Sequence, residues 1–476
     1  MHSHTVGRPS VLRGGTVLTM DPARTVLDGH DVLVVDGRIA AVGVGLVVPD
    51  GTDEIDARGG IVMPGMVNTH RHMWQTTTRG YGADWTLTQY FVWYYLNWGT
   101  KFRPEDIYAG NLLGALEALD AGVTTCVDWS HGLQTIDHAD AAVDALAAVP
   151  GRFVLAYGNI QDAPANWTGT PEFREFFDRR SGDLEGFQIA FDVTGDPSFP
   201  EQQAFEVARE LDLAVTTHAG VWGATGDDAV RLIHEHGYAE ARTVYVHAST
   251  LSADSYARIA ASGGSVSVST ESEQSAGQGY PATAALRAHG IPVSLSLDSC
   301  VLCSGDLFSA MRTTLGADRA AEHQAAHARG ETVTHASLAR RAGRRVGDAG
   351  WRASDRARQR DRQRAGRQEG RPRARPQRRF AGDGAAAQPA RTRRPACAAG
   401  RCRHSPGRRR DRETRPPAGR RRPGRCASGG AGDGRLPARR TRGAGLARGH
   451  EPADPRDQGP RQPLHLHRLP VSSHAR

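Results

Sequence analysis

Lysine is almost missing from this chain: Lys101 stands alone among 476 residues. Cysteine is scarce as well. Cys126, Cys300 and Cys303 lie in the first part of the chain, and Cys397, Cys402 and Cys426 in the last. Their spacing gives neither a disulfide framework nor a double CxxC zinc site, and the lone Cys300-x-x-Cys303 reads as incidental. No apolar run approaches the ~20 residues that span a bilayer. The opening Met1-His2-Ser3-His4-Thr5 has no charged region leading into an apolar core, so no signal peptide is expected. These absences argue against a secreted disulfide scaffold and a membrane protein, and leave a cytoplasmic globular protein as the expectation.

The chain falls into two unlike parts. Its formal net charge of +8 averages them. Residues 1–339 hold 21 basic against 41 acidic side chains, whereas residues 340–476 hold 39 arginines against 11 acids. Beyond residue 336 there is no Ile, Met, Asn, Tyr or Lys, and Arg, Ala, Gly and Pro dominate. Such a composition cannot bury enough apolar surface to offset chain entropy, so a disordered, low-complexity tail is expected over 336–476. A basic tail could bind nucleic acid through phosphates. Only Trp351 and Phe380 stand among the arginines, too few for a spaced set of stacking aromatics, which makes a nucleic-acid partner the weaker reading. Codons of a GC-rich gene read out of frame give mostly Arg, Ala, Gly and Pro, and a near-absence of lysine fits such a gene. A frameshift near residues 336–345 is therefore the preferred reading.

Residues 1–60 read as short strands and turns, with Asp36-Gly37 as a hairpin signal between two apolar runs. This segment is expected to form a small β-sheet domain. From residue 61 to 335 strands and helices alternate. The helix over 104–121 has Pro104 near its start and Gly122 just past its end. Eight strands are counted from Val62, most followed by a helix. That alternation implies a parallel sheet, and eight units imply a closed (β/α)8 TIM barrel, an α/β fold.

The chemistry gathers at the ends of those strands. Val62-Met63-Pro64-Gly65-Met66-Val67-Asn68-Thr69-His70-Arg71-His72 is an apolar strand that ends in a His-x-His pair. Residues i and i+2 of a strand share a face, so His70 and His72 can reach one metal ion. An isolated His-x-His pair is weak. Here the fifth strand ends in His218, the sixth in His247 and the eighth in Asp298. In a (β/α)8 barrel the C-terminal strand ends build the active site. Imidazoles with a carboxylate suit a divalent ion such as zinc or iron.

The strand-end motifs PGMVNTHRH, TTHAG, YVHAS and SLDS, in this order, resemble the amidohydrolase superfamily, and most of all its branch of cytosine deaminase and s-triazine hydrolases. The resemblance covers about residues 8–335, and it implies that the opening segment is the N-terminal half of a small β-sandwich. It implies a small-molecule hydrolase cleaving a non-peptide C–N bond, by deamination or amide hydrolysis of a nitrogen heterocycle. It also implies that His70, His72, His218 and Asp298 ligate one divalent metal, zinc first and iron second. Asp298 would move the proton of the attacking water, and His247 would polarise the bond under attack. Members with two metals carry a lysine on strand four, and Phe187–Val193 has none. Gln75 and Trp74, just past His72, are expected at the substrate.

Three features depart from that pattern or leave it open. Deaminases of this branch carry a Glu three residues after the strand-five histidine, where this chain has Val221. Glu271 and Glu273, after strand seven, are candidates to replace it, with Glu273 expected at the substrate and an exposed loop pair as the alternative. Residues 340–476 offer nothing like the strands that complete the family's sandwich. The aromatic cluster of Trp85, Phe91, Trp93, Tyr94, Tyr95 and Trp98 could cap a flat ring or pack between subunits of a homo-oligomer. The alternatives to a deaminase are a triazine-type dechlorinase or dealkylaminase, a destabilised pseudoenzyme and a basic-tail nucleic-acid binder. The separate deaminase class with His-x-Glu and Pro-Cys-x-x-Cys is excluded, because neither signature occurs.

Overall fold

In a computed structural model of the chain, the described residues are 8–223, 226–338 and the short strand Gln388–Ala390. The first strands make a small sheet. β1 (Ser10–Leu18) pairs antiparallel with β2 (Val26–Val35), and β2 with β3 (Arg38–Gly43). Asp36 and Gly37 turn that second hairpin with φ of 51° and 72°, the doubly left-handed turn that suits the twist of paired strands. β4 (Asp53–Asp56) and β5 (Ile61–Met63) run parallel to β1. Leu12, Val17, Val32, Ala57 and Val62 form the sheet's own core.

The barrel follows. β6 (Met66–Arg71), β7 (Val123–Ser130), β8 (Arg152–Tyr157), β9 (Gly186–Ala190), β10 (Ala214–Ala219), β11 (Val244–His247), β12 (Ser265–Val268) and β13 (Val293–Leu295) stand side by side in chain order. All neighbours are parallel. The seam between β13 and β6 is closed mainly by backbone around the future site. The Asp298 amide donates to the His70 carbonyl (3.1 Å), and the His72 amide donates to the Asp298 carbonyl (3.1 Å). Asn68 Oδ1 accepts from the amides of His70 and Leu297, both at 3.3 Å. Beneath the ends of β6, β12 and β13 hydroxyls meet one another, whereas Trp129, Ala156 and Ala190 cluster with Val127 around β7 to β9. Thr69 Oγ1 lies 2.7 Å from both Ser267 Oγ and Ser294 Oγ, and Ser296 links Ser267 to Ser269.

The crossover helices occupy the expected segments, but three elements had no period to betray them. A 3-10 turn covers Met73–Thr78, a π-helix covers Phe91–Trp98, and a six-residue helix covers Thr270–Ser275. The first is seated on the Pro104–Asp120 helix at Gly110, where a Cβ would come 2.2 Å from the Trp74 carbonyl oxygen. Glycine is needed there for close approach, which fixes the chain directly after His72. The π-helix turns Tyr94 and Tyr95 inward while Val92, Trp93 and Leu96 face solvent.

The basic tail lies outside the described residues, apart from β14 (Gln388–Ala390). Its backbone pairs antiparallel with β5, which corrects the expectation that nothing in that segment joins the small sheet. Among the described residues no helix is long and apolar enough to cross a membrane.

Candidate metal centre

Five strand ends converge at the mouth of the barrel. His70 leaves β6 and His72 follows it by two residues, so the strand's alternation turns both imidazoles to one side. His218 comes from β10, His247 ends β11, and Asp298 follows β13. The ligating atoms of His70, His72 and His218 lie within 4.8 Å of one another, as do those of His70, His247 and Asp298. Asp298 Oδ1 is 3.4 Å from His70 Nε2 and 3.2 Å from His72 Nε2, and its Oδ2 is 4.0 Å from His247 Nε2. All but His218 are buried, and the His218 side chain is 14% exposed, so the mouth opens on the β10 side.

His72 and His218 are oriented from behind. His72 Nδ1 donates to the Trp129 carbonyl (2.8 Å), which leaves Nε2 facing Asp298. His218 Nδ1 is held by Asp192 Oδ1 at 2.8 Å, and the His218 amide donates to the same oxygen. Such outer contacts fix the tautomer and aim the free nitrogen. His70 differs: both its ring nitrogens are buried without a hydrogen-bond partner. Burial also pushes its pKa well below the ordinary value, so it is a neutral imidazole, the form that binds metal. Burial alone would raise the Asp298 carboxyl, but the imidazoles of His70 and His72 hold it well below the usual carboxylate range. Three imidazoles and an ionised carboxylate, with an unpartnered buried nitrogen between them, suit a divalent cation.

Two of these residues sit in strained backbone. His247 and Asp298 have φ of 74° and 53°, in the left-handed region that a side chain normally avoids. Ala248 after His247 is also left-handed, and its amide is held by the Ala219 carbonyl at 2.9 Å. Strain of about 1–3 kcal/mol per residue persists where surrounding contacts enforce it, and it clusters at functional sites.

Behind His247 lies Glu273, fully buried. Its Oε1 faces His247 Nδ1 at 3.3 Å and accepts the Ser269 amide at 2.7 Å, while Oε2 has no partner. Glu271 turns the other way and accepts from Ser304.

The amidohydrolase family pattern matches residues 61–340. The chain belongs to the amidohydrolase family. This amidohydrolase is 29% identical over 309 residues to a 5-methylthioadenosine/S-adenosylhomocysteine deaminase from Symbiobacterium thermophilum, covering 60% of this chain and 69% of the relative. The Halobacterium salinarum enzyme of the same description is 31% identical over 317 residues, 63% and 71% of the two chains. Among solved structures, zinc-bound atrazine chlorohydrolase from Arthrobacter aurescens TC1 matches with a TM-score of 0.62, covering 72% of this chain and 82% of that one. Its 19% identity makes it a likeness of fold alone. The reaction class that goes with the family is hydrolysis of C–N bonds other than peptide bonds in small molecules.

Within the amidohydrolase barrel, the residues singled out in the sequence separate clearly. His70, His72, His218, His247 and Asp298 come together, with Glu273 behind them. Gln75 is one step removed: its side chain is bonded to Tyr90 and to Ser299, the residue after Asp298. Trp74 is buried in the apolar core against Tyr94 and Phe102, and meets the site at His131 through a hydrogen bond and an edge contact of the rings. Two further residues had gone unassigned. Asp192 follows β9 and His131 follows β7, so their strand-end positions were the available signal.

Proposed function

We propose that this amidohydrolase is a mononuclear, metal-dependent deaminase of an amino-substituted nitrogen heterocycle, working in the cytoplasm. The observation that carries the reading is His70, buried with two unpartnered ring nitrogens among His72, His218 and Asp298. These four residues would hold one divalent ion, zinc before iron. A single ion is supported by strand four, which offers Asp192 to His218 rather than a lysine to a second metal. When bound, the ion supplies Lewis acidity and lowers the pKa of a water to about 7.

The chain's own residues then handle protons. Asp298, held ionised, accepts a proton from the attacking water and returns it to the departing nitrogen. His247 faces the same space through Nε2 and steadies charge on the substrate atom under attack. Val221 cannot carry a proton. Glu273, bonded to His247 Nδ1, is the acid that stands in for the missing strand-five glutamate. Both relatives described above are deaminases of an adenine-bearing substrate by name, which supports an aminopurine-like ring here. Phe91 meets Trp222 edge to face, ring centroids 6.1 Å apart, on the open β10 side, where a flat ring would enter.

Val221 favours one second reading, displacement of a chloride or alkylamine from a ring that needs no protonation. The test is the zinc-loaded chain with 5'-methylthioadenosine, adenosine and chloro- and alkylamino-triazines, with ammonia, chloride and amine measured separately. Ammonia release abolished by chelation and restored by zinc is expected. Chloride or alkylamine without ammonia would establish the second reading.

A further inference from the structure

His131 is a buried histidine with a job left undone. It is 1% exposed and lies beside His72, ring centroids 4.1 Å apart, and beside Tyr95 of the aromatic segment at 4.5 Å. Trp74 Nε1 stands 3.1 Å from His131 Nδ1. An indole nitrogen can only donate, so Nδ1 is the acceptor and carries no proton. The remaining proton of a neutral ring is then on Nε2. Nε2 is buried and has no partner among the described residues. A buried donor without an acceptor costs roughly 1–3 kcal/mol. The Trp74 indole that sets this orientation is itself closely packed, since a Cβ added at Gly132 would come 3.0–3.2 Å from its ring atoms.

We propose that His131 is a specificity-determining residue whose Nε2–H donates to a lone pair on the substrate ring, an unprotonated ring nitrogen or a carbonyl oxygen. The donor stands between the ligand histidine His72 and inward-facing Tyr95. A ring bound at the mouth would therefore present an acceptor on the side facing β7. A site built around a fixed buried donor rejects the analogue that lacks the acceptor, because the donor stays unpaired. The proposal rests on the aminoheterocycle reading given above, since it assigns the acceptor to that ring.

Purine and benzimidazole test it. They have the same shape and the same imidazole half, and differ in two ring nitrogens replaced by C–H. Calorimetry on the zinc-loaded full chain is expected to show purine binding at least ~10-fold tighter, the discrimination a lost hydrogen bond gives. In His131→Phe that preference is expected to shrink below about twofold, and in His131→Gln, which keeps an N–H donor, to return in part. Circular dichroism on both variants separates a lost donor from a lost fold. Nitrogen-15 NMR of histidine-labelled protein, with His131→Phe to assign the signal, reads the tautomer without any ligand. A purine preference unchanged in His131→Phe, or a proton found on Nδ1 instead of Nε2, would overturn the proposal. Binding of neither ring would instead sink the substrate class proposed above. The tautomer then decides the donor assignment alone, upheld by a proton on Nε2 and lost with one on Nδ1.

Discussion

Asp298 grips His72 twice. The His72 amide donates to the Asp298 backbone carbonyl at 3.1 Å, and the Asp298 carboxylate stands 3.2 Å from the same residue's Nε2. The seam that closes the barrel and the pair that faces the candidate metal position are thus one contact. Asp298→Asn keeps the backbone half and removes the charge. The expected outcome is a fall in kcat of at least ~10³-fold, as for loss of a general acid–base group at a metal water. Bound zinc, by elemental analysis, should fall below stoichiometric while circular dichroism is unchanged. A variant that retains full zinc and a tenth of the activity would remove Asp298 from the ligand set.

Asp192 acts on the site through His218. Outer-shell partners of this kind are worth 10–100-fold in metal affinity. Asp192→Ala should weaken zinc by about that factor, measured by competition with a chromophoric chelator, and Asp192→Asn should lose less because its carbonyl oxygen still accepts from Nδ1. Equal affinity in wild type and Asp192→Ala would show that His218 needs no orienting partner.

Glu273 and Glu271 are two residues apart and turned to opposite duties. Glu273 backs His247, whereas Glu271 ties down the loop at Ser304. Glu273→Gln should lower kcat by roughly 10²-fold, and Glu271→Gln should leave it near wild type. The pH profile adds a sign. Burial raises the Glu273 carboxyl, against the lowering influence of His247. Activity that needs Glu273 ionised behind His247 is therefore full at high pH and is lost as pH falls through that raised pKa. The acid limb of kcat should lie above the ordinary carboxyl range and disappear in Glu273→Gln. Equal losses in both variants would point to packing, not proton transfer.

Much of this was legible because a parallel barrel exports its function to strand ends. Once eight strand–helix alternations are counted, His70, His218, His247 and Asp298 are found by position alone. His131 escaped because β7 runs two residues further than its apolar stretch, through Trp129 and Ser130, so the histidine seemed to belong to a loop. Glu273 was singled out by its place after strand seven, although the helix that carries it is too short for a 3.6-residue period to register. The left-handed backbone at His247 and Asp298 has only a weak local signal: both residue types enter that region more often than most, but too rarely for the type to mark a position. It is imposed by the seam and by the β10–β11 contacts, which are set far away in sequence.

Gly110 and Gly316, both in helices, should respond to alanine with opposite signs. In open helix, Gly→Ala gains roughly 1 kcal/mol. Gly316, in Leu307–Ala328, has nothing within 4 Å of an added Cβ, so Gly316→Ala should raise Tm slightly. Gly110→Ala drives its Cβ into the Trp74 backbone, an overpacking that costs about 1–3 kcal/mol beyond the helix gain. Tm should drop by several degrees, at ~2–4 °C per kcal/mol, and kcat should drop too because the turn after His72 shifts. A Gly110→Ala protein with unchanged Tm and kcat would mean that this turn can move without disturbing His72.

Asp31 gives the small sheet an acid limit of its own. The buried carboxylate accepts from Arg13 Nη1 (2.9 Å), the Gly14 amide (2.8 Å) and the Leu46 amide (3.0 Å). Burial alone would raise its pKa, but these three donors hold it below the ordinary value. A carboxyl lowered in the folded state stabilises fully above its unfolded pKa, near 4, and that stability is lost as pH falls through the folded value. Hydrogen exchange at β1 and β2 amides, corrected for intrinsic rates, should therefore show protection constant from pH 7 to about 5 and falling below about 4. Asp31→Asn should lose about 2 kcal/mol of that protection at pH 7, the worth of a charge-assisted hydrogen bond, and should flatten the acid dependence. If wild-type protection is the same at pH 3 as at pH 6, the three donors do not favour the ionised form. Asp31 would then be held by the fold without helping to hold it.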